Sequence, residues 1–423
     1  MFKSIFGKNR NSENKNASSS NENDVFNKLE INKESDAFER YYNAGLLSDI
    51  DVEYVNEVNQ FWNDNYGQTY DPVFNLAFMN FTGKKELNLV PPSVMSNDIV
   101  PFFNDPKMRG VYKDKNIYDK LINAKPTRTV ENIIKRIYGT YYDKDNNAIT
   151  SEEAYRRFLT FEELIIKPSN TNNGEGIRKL KIVNSDVFMG DKKVSMTDLE
   201  QIYGGHFIVQ KLIKQHPIIA APHPDSVNTL RMVTFRWENE IRHLLTFARF
   251  GANNSVQDNA GAGGVCLGVS DSGEFLKVAI NEACESFTHH PTTGYEFAKM
   301  GSIPNYEAFK EYVIELHKDV LHHDFVSWDI AVGEEGQPIF LEVNLRGATW
   351  LYQLAAQRPL FGDLTKDVLK YVHREQNNPE SPRRRMLTEQ QKKEKKIKKQ
   401  QREIKTLKNQ IDELNKEIDN LKQ

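Results

Sequence analysis

Two neighbouring apolar segments near residue 340 include side chains suited to binding a metal ion. In VSWDIAVGEEGQPIFLEVNLRG (326–347), a turn through GEEGQP joins two apolar runs that are typical of paired strands. Successive side chains of a strand face opposite sides, so Glu342 and Asn344 share one face and Asp329 can lie beside them. Such oxygen ligands suit magnesium at nucleotide phosphates, whereas two close carboxylates without a cation would repel each other. The alternative is an ordinary strand pair with solvent-facing acids.

Two further segments could contact phosphate groups. ELIIKPSNTNNGEGIRKLKI (163–182) ends an apolar strand in Lys167 and continues into a glycine-containing loop, whose N–H groups could approach phosphate oxygens. The loop could instead be a hairpin turn, and it is not a Walker loop because the lysine precedes the glycines. PDSVNTLRMVTF (224–235) places Asn228 and Arg231 at the start of another strand. An arginine there could neutralise a transferring phosphoryl group.

Five motifs in a fixed order resemble the ATP-grasp superfamily. They are DKNIYDKL, ELIIKPSNTNNGEGI, FIVQKLIKQHP, PDSVNTLRMVT and SWDIAVGEEGQPIFLEVN, and the resemblance covers roughly residues 55 to 375. The QHP, SVNTLR and WDIA elements resemble the sugar-transfer associated ATP-grasp family. That family occurs with enzymes of capsule and other surface-polysaccharide synthesis and is related to α-L-glutamate ligase-type proteins. The resemblance implies an α+β fold in which two α+β subdomains clasp ATP.

The resemblance also implies roles for individual residues. Those implied for nucleotide binding are Lys115 and Lys167, the flap Asn172, Asn173, Gly174, Glu175 and Gly176, the adenine hinge Ile208, Val209, Gln210, Lys211 and Leu212, and Arg231. Those implied for magnesium are Asp329, Glu342 and Asn344, and those expected to act in catalysis are Arg231, Lys167 and Asn228. Gln210 departs from the family pattern, which usually has a glutamate able to hold the ribose hydroxyls.

The glycine-rich stretch ARFGANNSVQDNAGAGGVCLGV (248–269) resembles the DN..GG segment of the same family. Long loops of small and polar residues are often functional, so we expect it to face the second substrate. A plain glycine-rich connection is the alternative.

The chain is too long for one ordinary core, and its texture changes along its length. We expect a helical region before the ATP-grasp subdomains and a coiled coil after them. The predicted divisions are a disordered segment 1–24, a mainly helical region 25–110, subdomains 111–210 and 211–375, a basic linker 376–395 and a coiled coil 396–423.

The predicted coiled coil indicates a homodimer. Isoleucines recur every seven residues and leucines follow three of them, a pattern that favours a parallel two-stranded coiled coil over a solvated single helix. The residues are Ile397, Ile404, Ile411 and Ile418, with Leu407, Leu414 and Leu421. The basic run before it lacks an asparagine to contact a base edge, so no nucleic acid is expected. It is interpreted as a solvated helix face, with weak contact to an anionic membrane surface as the second interpretation.

Bulk composition argues against several other classes. A net charge of −3 from 56 basic and 59 acidic residues gives no global field for nucleic acid or a membrane surface. Two cysteines without metal-ligand spacing favour a reducing compartment. No apolar stretch is long enough for a bilayer crossing or a signal peptide, so we expect a cytoplasmic protein, with a position at the inner face of the membrane as an alternative.

The expected function is that of an ATP-dependent carboxylate–amine ligase with an acylphosphate intermediate, acting in surface or capsular polysaccharide biosynthesis. Its cofactors would be ATP and Mg²⁺, and its substrates a small carboxylate and an amine, such as an amino acid and a sugar or uronic acid precursor. One alternative is a phosphotransferase acting on a sugar or lipid-linked hydroxyl. Another is a non-catalytic nucleotide-binding scaffold.

Overall fold

The structure is a computed structural model with two antiparallel sheets and twelve α-helices among the residues it describes. These residues are 25–122, 129–170, 176–253, 263–346 and 349–383, with Lys393, Ile397 and Gln400. The predicted α+β class is confirmed. The predicted disordered segment 1–24, most of the predicted flap and nearly all of the predicted coiled coil lie outside the described residues.

The N-terminal region is helical, as predicted. Its helices are α1 (Asp36–Asn43), α2 (Val52–Tyr66), α3 (Val73–Thr82), α4 (Pro92–Val94) and α5 (Val100–Phe103), with a π-helical turn at Met95–Ile99 between the last two. Apolar residues at helical spacing form the buried side of α2, and its first turn is capped by Asp51, whose side chain accepts from the Tyr54 N–H. Gly67 ends the helix in the left-handed conformation.

The first sheet has eight strands and follows the N-terminal helices in the chain. Its strands are β1 (Asn132–Ile137), β2 (Thr140–Tyr142), β3 (Ala148–Ile149), β4 (Glu163–Pro168), β5 (Arg178–Val183), β6 (Asp186–Met189), β7 (Lys192–Lys193) and β8 (Phe207–Lys211). The spatial order β3-β2-β1-β8-β4-β5-β6-β7 places β8 between β1 and β4. Two helices, α7 (Ser151–Phe158) and α8 (Met196–Tyr203), start with capping boxes and contribute buried apolar residues to the core of this sheet.

The second sheet has seven strands in the order β13-β12-β11-β10-β9-β14-β15. Its strands are β9 (Thr229–Trp237), β10 (Glu240–Phe250), β11 (Val265–Val269), β12 (Phe275–Ile280), β13 (Ser286–Phe287), β14 (Phe325–Val332) and β15 (Pro338–Asn344). The remaining helices are α6 (Tyr118–Leu121), α9 (Pro217–Ala220), α10 (Tyr306–His317), α11 (Thr349–Ala356) and α12 (Thr365–Asn377).

Both faces of the seven-stranded sheet are covered, which explains why every residue of β14 is buried. One face shares a core with the N-terminal helices, α11 and α12. The other face packs against α10 and against Tyr112, Tyr118 and Ile122, which precede the first sheet in the chain. The helical region therefore packs on the second sheet, and the segment from 112 to 122 joins the core of that sheet before the chain enters the first.

Part of the predicted basic linker is folded onto the body of the protein. Gln376 and Asn377 end α12, and Ser381 is buried. Arg383 donates from Nη2 to Oδ2 of Asp324 at 2.6 Å, and its guanidinium lies 5.5 Å from the ring centroid of Phe103. The described residues up to Arg383 thus belong to the globular unit.

A helix that crosses a bilayer must be both long and strongly apolar. None of the helices among the described residues meets both requirements.

Candidate active site

Asp329 lies at the centre of a row of polar side chains across the seven-stranded sheet. It is paired directly with Arg231 of β9 on one side and with Glu342 of β15 on the other. Directly paired residues of antiparallel strands project from the same face, and Asn344 lies two residues beyond Glu342 on that face. Asn344 Nδ2 donates to Asp329 Oδ2 at 3.1 Å. The strand pairing therefore places the three predicted metal ligands on one face, as the alternation of the sequence predicts.

Arg231 makes a bidentate contact with the carboxylate of Asp329. Its Nε donates to Oδ1, and its Nη2 donates to Oδ2 at 3.1 Å. Its Nη1 donates to the hydroxyl of Tyr352 in α11 at 3.1 Å, and that hydroxyl donates to Ser327 at 2.9 Å. Burial opposes the charge of Arg231, but the neighbouring Asp329 raises the pKa of the guanidinium well above its ordinary value.

Arg249 is a second arginine at the same carboxylate. It belongs to β10, two strands away from β14, so its side chain extends across β9 to bring Nη1 within 3.3 Å of Asp329 Oδ2. Burial disfavours the ionised form of Asp329, yet Arg231 and Arg249 hold the pKa of that carboxyl below its ordinary value. Asp329 is thus an anion at neutral pH.

Glu342 connects the sheet to the segment that precedes the first sheet. Its Oε1 lies 3.2 Å from Nζ of Lys115, which is 7% exposed. Lys115 lies in a short 3₁₀ turn capped by Asp114, and its backbone N–H donates to the carbonyl of Ser169 just after β4. That bond ties the Lys115 turn to the strand end that holds Lys167.

Lys167 is a buried lysine facing other charges. Burial and, to a smaller extent, the nearby Lys115 lower the pKa of its ammonium group to about 8, while Glu342 acts in the opposite direction. The structure gives its Nζ no hydrogen bond or ion pair with any described residue. The two predicted phosphate-contacting lysines therefore lie close together, beside Glu342.

A cleft between the two sheets is lined by residues from both. Its lining includes Lys115, Tyr118, Asp119, Thr129, Val130, Asn132, Lys167, Gln210, Phe340 and Leu341. The ring of Tyr118 lies 5.4 Å from that of Phe340, and burial raises the pKa of the Tyr118 hydroxyl well above its ordinary value. The cleft thus has an apolar wall beside two ammonium groups.

Only the last residue of the predicted flap is described. Asn172, Asn173, Gly174 and Glu175 lie outside the described residues. Gly176 has a φ of +80°, and a Cβ there would lie 2.8 Å from Cγ of Pro168. Because other residues rarely adopt this φ and the side chain would collide, glycine is required where the chain returns beside β4.

The predicted adenine hinge is only partly placed as expected. Ile208 and Gln210 face the same side of the sheet as Lys167, since Ile208 pairs directly with it, whereas Val209 belongs to the core of the first sheet. Strand β8 is paired on both sides through Gln210, so the ladder uses the backbone groups of Ile208 and Val209.

The strand pairing therefore argues against a backbone hinge at Ile208 and Val209. Lys211 is exposed at the strand end, and Leu212 follows it. Gln210 donates to Oδ1 of Asn132 at 2.7 Å, so both side chains line the cleft as a bonded pair. The glutamate that the family usually has at position 210 would accept rather than donate.

Asn228, predicted to act in catalysis, is fully buried in a network of its own. Its Nδ2 donates to the carbonyl groups of Ile219 and His223, and its Oδ1 accepts from Ser226. These contacts point away from a role at reacting atoms, because each polar atom of the amide is already occupied. The geometry favours a positioning role for Asn228, which fixes the chain before β9.

Sequence reasoning missed Arg249 and Tyr352. Arg249 lies in the otherwise apolar run LLTFARF, and a charged residue inside a buried strand is normally paired. That signal could have marked it. Nothing in the local sequence connects Tyr352 to Arg231, which is 121 residues away.

A family model described as "Sugar-transfer associated ATP-grasp" matches residues 94–368. The chain belongs to this family. The match includes every predicted site residue, from Lys115 to Asn344, and it confirms the expected ATP-grasp fold. The cofactors of the ATP-grasp fold are ATP and Mg²⁺, in agreement with the sequence-based expectation.

Several solved structures resemble this ATP-grasp chain at low identity. The D-alanine–D-alanine ligase from Coxiella burnetii is 10% identical, with coverage of 63% of this chain and 59% of the ligase and a TM-score of 0.35. The VanG D-Ala:D-Ser ligase from Enterococcus faecalis is 13% identical, with coverage of 62% and 61% and a TM-score of 0.36. The ATP-grasp ligase PsnB, complexed with minimal precursor, Mg and ADP, is 12% identical, with coverage of 64% and 62% and a TM-score of 0.35.

These matches span about three-fifths of the length of the solved chains. At such identities and TM-scores, we draw no functional conclusion from them. No curated protein matches the sequence.

The donor set of the ATP-grasp site fits magnesium. Two carboxylates and an amide on one face provide hard oxygen ligands, and Asp329 is ionised. Among the described residues, no group of three or more His, Cys, Asp or Glu side chains could hold a metal ion. Both oxygens of Asp329 already accept from guanidinium groups, so a cation would have to displace at least one contact.

Proposed function

We propose that this protein is an ATP-dependent ligase that joins a carboxylate of one small molecule to an amine of another. Family membership supports the use of ATP, and the description of the family supports an association with sugar transfer. We propose that the reaction belongs to surface or capsular polysaccharide biosynthesis. The substrates would be small molecules such as an amino acid and a sugar or uronic acid precursor.

The main support is Lys167, a buried ammonium group without a hydrogen bond or ion pair to any described residue, within a cluster of charged side chains. Four cationic side chains converge there, Lys115, Lys167, Arg231 and Arg249, against the carboxylates of Asp329 and Glu342. Buried charges are normally balanced by partners, because removal of an ion from water costs several kcal/mol. A nucleotide triphosphate with its metal ion would supply the anionic partner that Lys167 lacks among the described residues.

The side chains of the site would act mainly by position and charge. Lys115 and Lys167 would hold the phosphates, and Arg231 would neutralise the charge that builds as the terminal phosphoryl group moves. Mg²⁺, held by Asp329, Glu342 and Asn344, would polarise the phosphoryl oxygens.

The chemical steps balance without a further co-reactant. An oxygen of the substrate carboxylate forms a bond to the terminal phosphorus while the bond to ADP breaks, which gives an acylphosphate and ADP. The amine then attacks the acyl carbon, inorganic phosphate leaves with the bonding electrons, and the nitrogen loses a proton.

The first test is calorimetry of ADP binding with and without Mg²⁺. Glu342→Gln is the best variant, because Glu342 is partly exposed and its loss frees only Lys115. Asp329→Asn is a poorer choice, since it would leave two buried arginines without their carboxylate. We expect magnesium-dependent binding by the wild type, with at least a tenfold loss in Glu342→Gln. Absence of magnesium-dependent binding by the wild type would refute the proposal.

Product analysis tests the reaction class. The protein is incubated with ATP, Mg²⁺ and pools of amino acids and nucleotide-linked uronic acids, and release of inorganic phosphate is followed. A ligase releases phosphate, whereas a phosphotransferase leaves it on the acceptor. ATP binding without turnover across the pools would indicate a nucleotide-binding scaffold instead.

We also propose a homodimer through the heptad repeat of the C-terminal residues. Because Arg383 bonds to Asp324 of the globular unit, a truncation should remove residues 384–423 and keep Arg383. In light scattering the truncated protein should be a monomer, with slightly less than half the molar mass of the full-length dimer. An unchanged oligomeric mass would contradict the proposal.

A further inference from the structure

Asp329 accepts more hydrogen bonds than a magnesium ligand can keep. Its Oδ2 alone accepts from Arg231 Nη2, Arg249 Nη1 and Asn344 Nδ2. Magnesium requires close oxygen contacts of about 2.0–2.1 Å in a near-octahedral arrangement. A guanidinium group at the same oxygen would both block an approach direction and repel the cation.

The two arginines hold Asp329 to different degrees. Arg231 makes a bidentate contact from the neighbouring strand, and its third guanidinium nitrogen, Nη1, donates to the hydroxyl of Tyr352. Arg249 contacts the carboxylate through one nitrogen at 3.3 Å, after extending across β9. A buried bidentate contact between arginine and a carboxylate is stronger and more directional than a single long hydrogen bond. Asp329 is therefore held less tightly by Arg249 than by Arg231.

We propose that Arg249 is a positioning residue that neutralises Asp329 until magnesium binds there, and that its guanidinium then turns to an oxygen of the transferred phosphate. This inference rests on the proposed function. It couples the binding of magnesium to the binding of phosphate, because the guanidinium of Arg249 contacts the carboxylate of Asp329 before magnesium binds and the phosphate afterwards.

The position of Arg249 supports this second role. It is the next-to-last residue of β10, close to the glycine-rich stretch of which residues 263 and 264 are described. Its side chain reaches the row formed by Arg231 and Asp329, beside which Lys115 contacts Glu342. A guanidinium group can present two parallel donors to a phosphate, which a lysine cannot.

The first experiment measures the Mg²⁺ concentration that half-saturates ADP binding by calorimetry. In Arg249→Gln only the guanidinium of Arg231 still contacts Asp329 among the arginines described above, so about fivefold less Mg²⁺ should be needed than in the wild type. Arg242→Gln is the matched control, because Arg242 lies on the same strand in an exposed pair with Glu240. The control should require as much Mg²⁺ as the wild type.

The second experiment titrates inorganic phosphate into protein saturated with Mg²⁺ and ADP. The wild type and Arg242→Gln should bind phosphate, and Arg249→Gln should bind it about tenfold more weakly. Arg249→Lys keeps the charge without the paired donors. It should retain the wild-type Mg²⁺ requirement but lose several-fold in phosphate affinity, and it provides the test if Arg249→Gln does not fold.

The outcomes separate this inference from the proposed function. If the wild type binds ADP independently of Mg²⁺ or not at all, the proposed function fails. If the wild type shows magnesium-dependent binding but Arg249→Gln needs as much or more Mg²⁺, or if phosphate binds equally to the wild type and this variant, the role of Arg249 is refuted.

Discussion

Two buried lysines on opposite sides of one strand differ in the partners that surround them. Lys135 of β1 and Lys167 of β4 both pair directly with Ile208 of β8, so their side chains project from the same face of the first sheet. Lys135 is fully buried, and its Nζ contacts both oxygens of Asp119, at 3.0 and 2.8 Å, and Oδ1 of Asn146 at 2.9 Å. Lys167 has no such contact with any described residue.

The difference separates a structural charge from a functional one. The donors of Lys135 are satisfied within the protein, and the contact joins the segment after Lys115 to the sheet. Lys167 is held beside a second lysine, and burial together with that lysine lowers its pKa to about 8, which is an unfavourable arrangement for the free protein. Such uncompensated charge is expected where a ligand completes the site.

The largest expected effect is the loss of the structural contact. Lys135→Met should lower the free energy of unfolding by about 3 kcal/mol, because it leaves Asp119 without its cation and Asn146 without its donor. We place the loss at the low end of the usual range because Asp119 is 30% exposed. Urea denaturation at pH 7 measures it.

Lys179→Met is the control for that measurement. Lys179 forms an exposed pair with Glu163 on the same sheet, so its loss should change the stability by less than about 0.5 kcal/mol. Equal effects of the two variants would show that the Lys135 contact has no special structural role.

The same substitution at the other lysine should have the opposite sign. The pKa of Lys167 falls from 10.5 to about 8 on folding, so the folded state is penalised below pH 8 and the penalty disappears as the pH rises from about 8 to 10.5. Lys167→Met should therefore be more stable than the wild type by about 2 to 3 kcal/mol at pH 7, and by much less at pH 10.

Denaturation curves at both pH values test this prediction, and calorimetry should show that the stabilised variant no longer binds ADP. A destabilised Lys167→Met at pH 7 would mean that Lys167, like Lys135, has a structural role.

The sequence predicted the parts of this site that depend on local pattern. The alternation of IFLEVN places Glu342 and Asn344 on one face, and the apolar run before Lys167 predicts its place at a strand end. The α+β class and the helical N-terminal region follow from periodicity in the same way. All of these features are set by neighbours a few residues away.

The features that sequence reasoning missed depend on tertiary neighbours. Arg249 meets Asp329 because two intervening strand pairings bring residues 80 positions apart together. The hinge motif does not show that β8 is paired on both sides, and the adenine-binding role of these residues stays a prediction. Asn228 has the residue type of a catalytic amide, and only the packed network shows that its polar atoms are occupied.

A further prediction concerns Tyr352, whose hydroxyl accepts from Arg231 beside Asp329. Tyr352→Phe removes the acceptor of Arg231 Nη1 and the donor to Ser327, so the free energy of unfolding should fall by about 2 kcal/mol. We also expect several-fold weaker binding of ADP with Mg²⁺, because Arg231 loses Tyr352 as a hydrogen-bond partner and keeps Asp329.

Tyr54→Phe is a matched control, since it removes a buried hydroxyl that donates to Glu86 in the N-terminal region. It should lose stability without a change in ADP affinity. If the two variants bind ADP equally well, the hydroxyl of Tyr352 does not position Arg231 for the nucleotide.

The smallest expected effect is a pH dependence that belongs to Lys167 alone. With a pKa of about 8, the free ammonium group loses its proton as the pH rises above 8, whereas a bound phosphate favours the protonated form. The affinity for ADP with Mg²⁺ should therefore fall up to tenfold per pH unit above pH 8, about 1.4 kcal/mol.

Binding at pH 9 should take up close to one proton, which calorimetry in buffers of different ionisation enthalpy measures. Lys135, whose ammonium keeps its carboxylate contact in both states, should contribute nothing, so Lys167→Met should remove the proton uptake entirely. Proton uptake that persists in this variant would assign the titration to another group and remove the functional distinction between the two lysines.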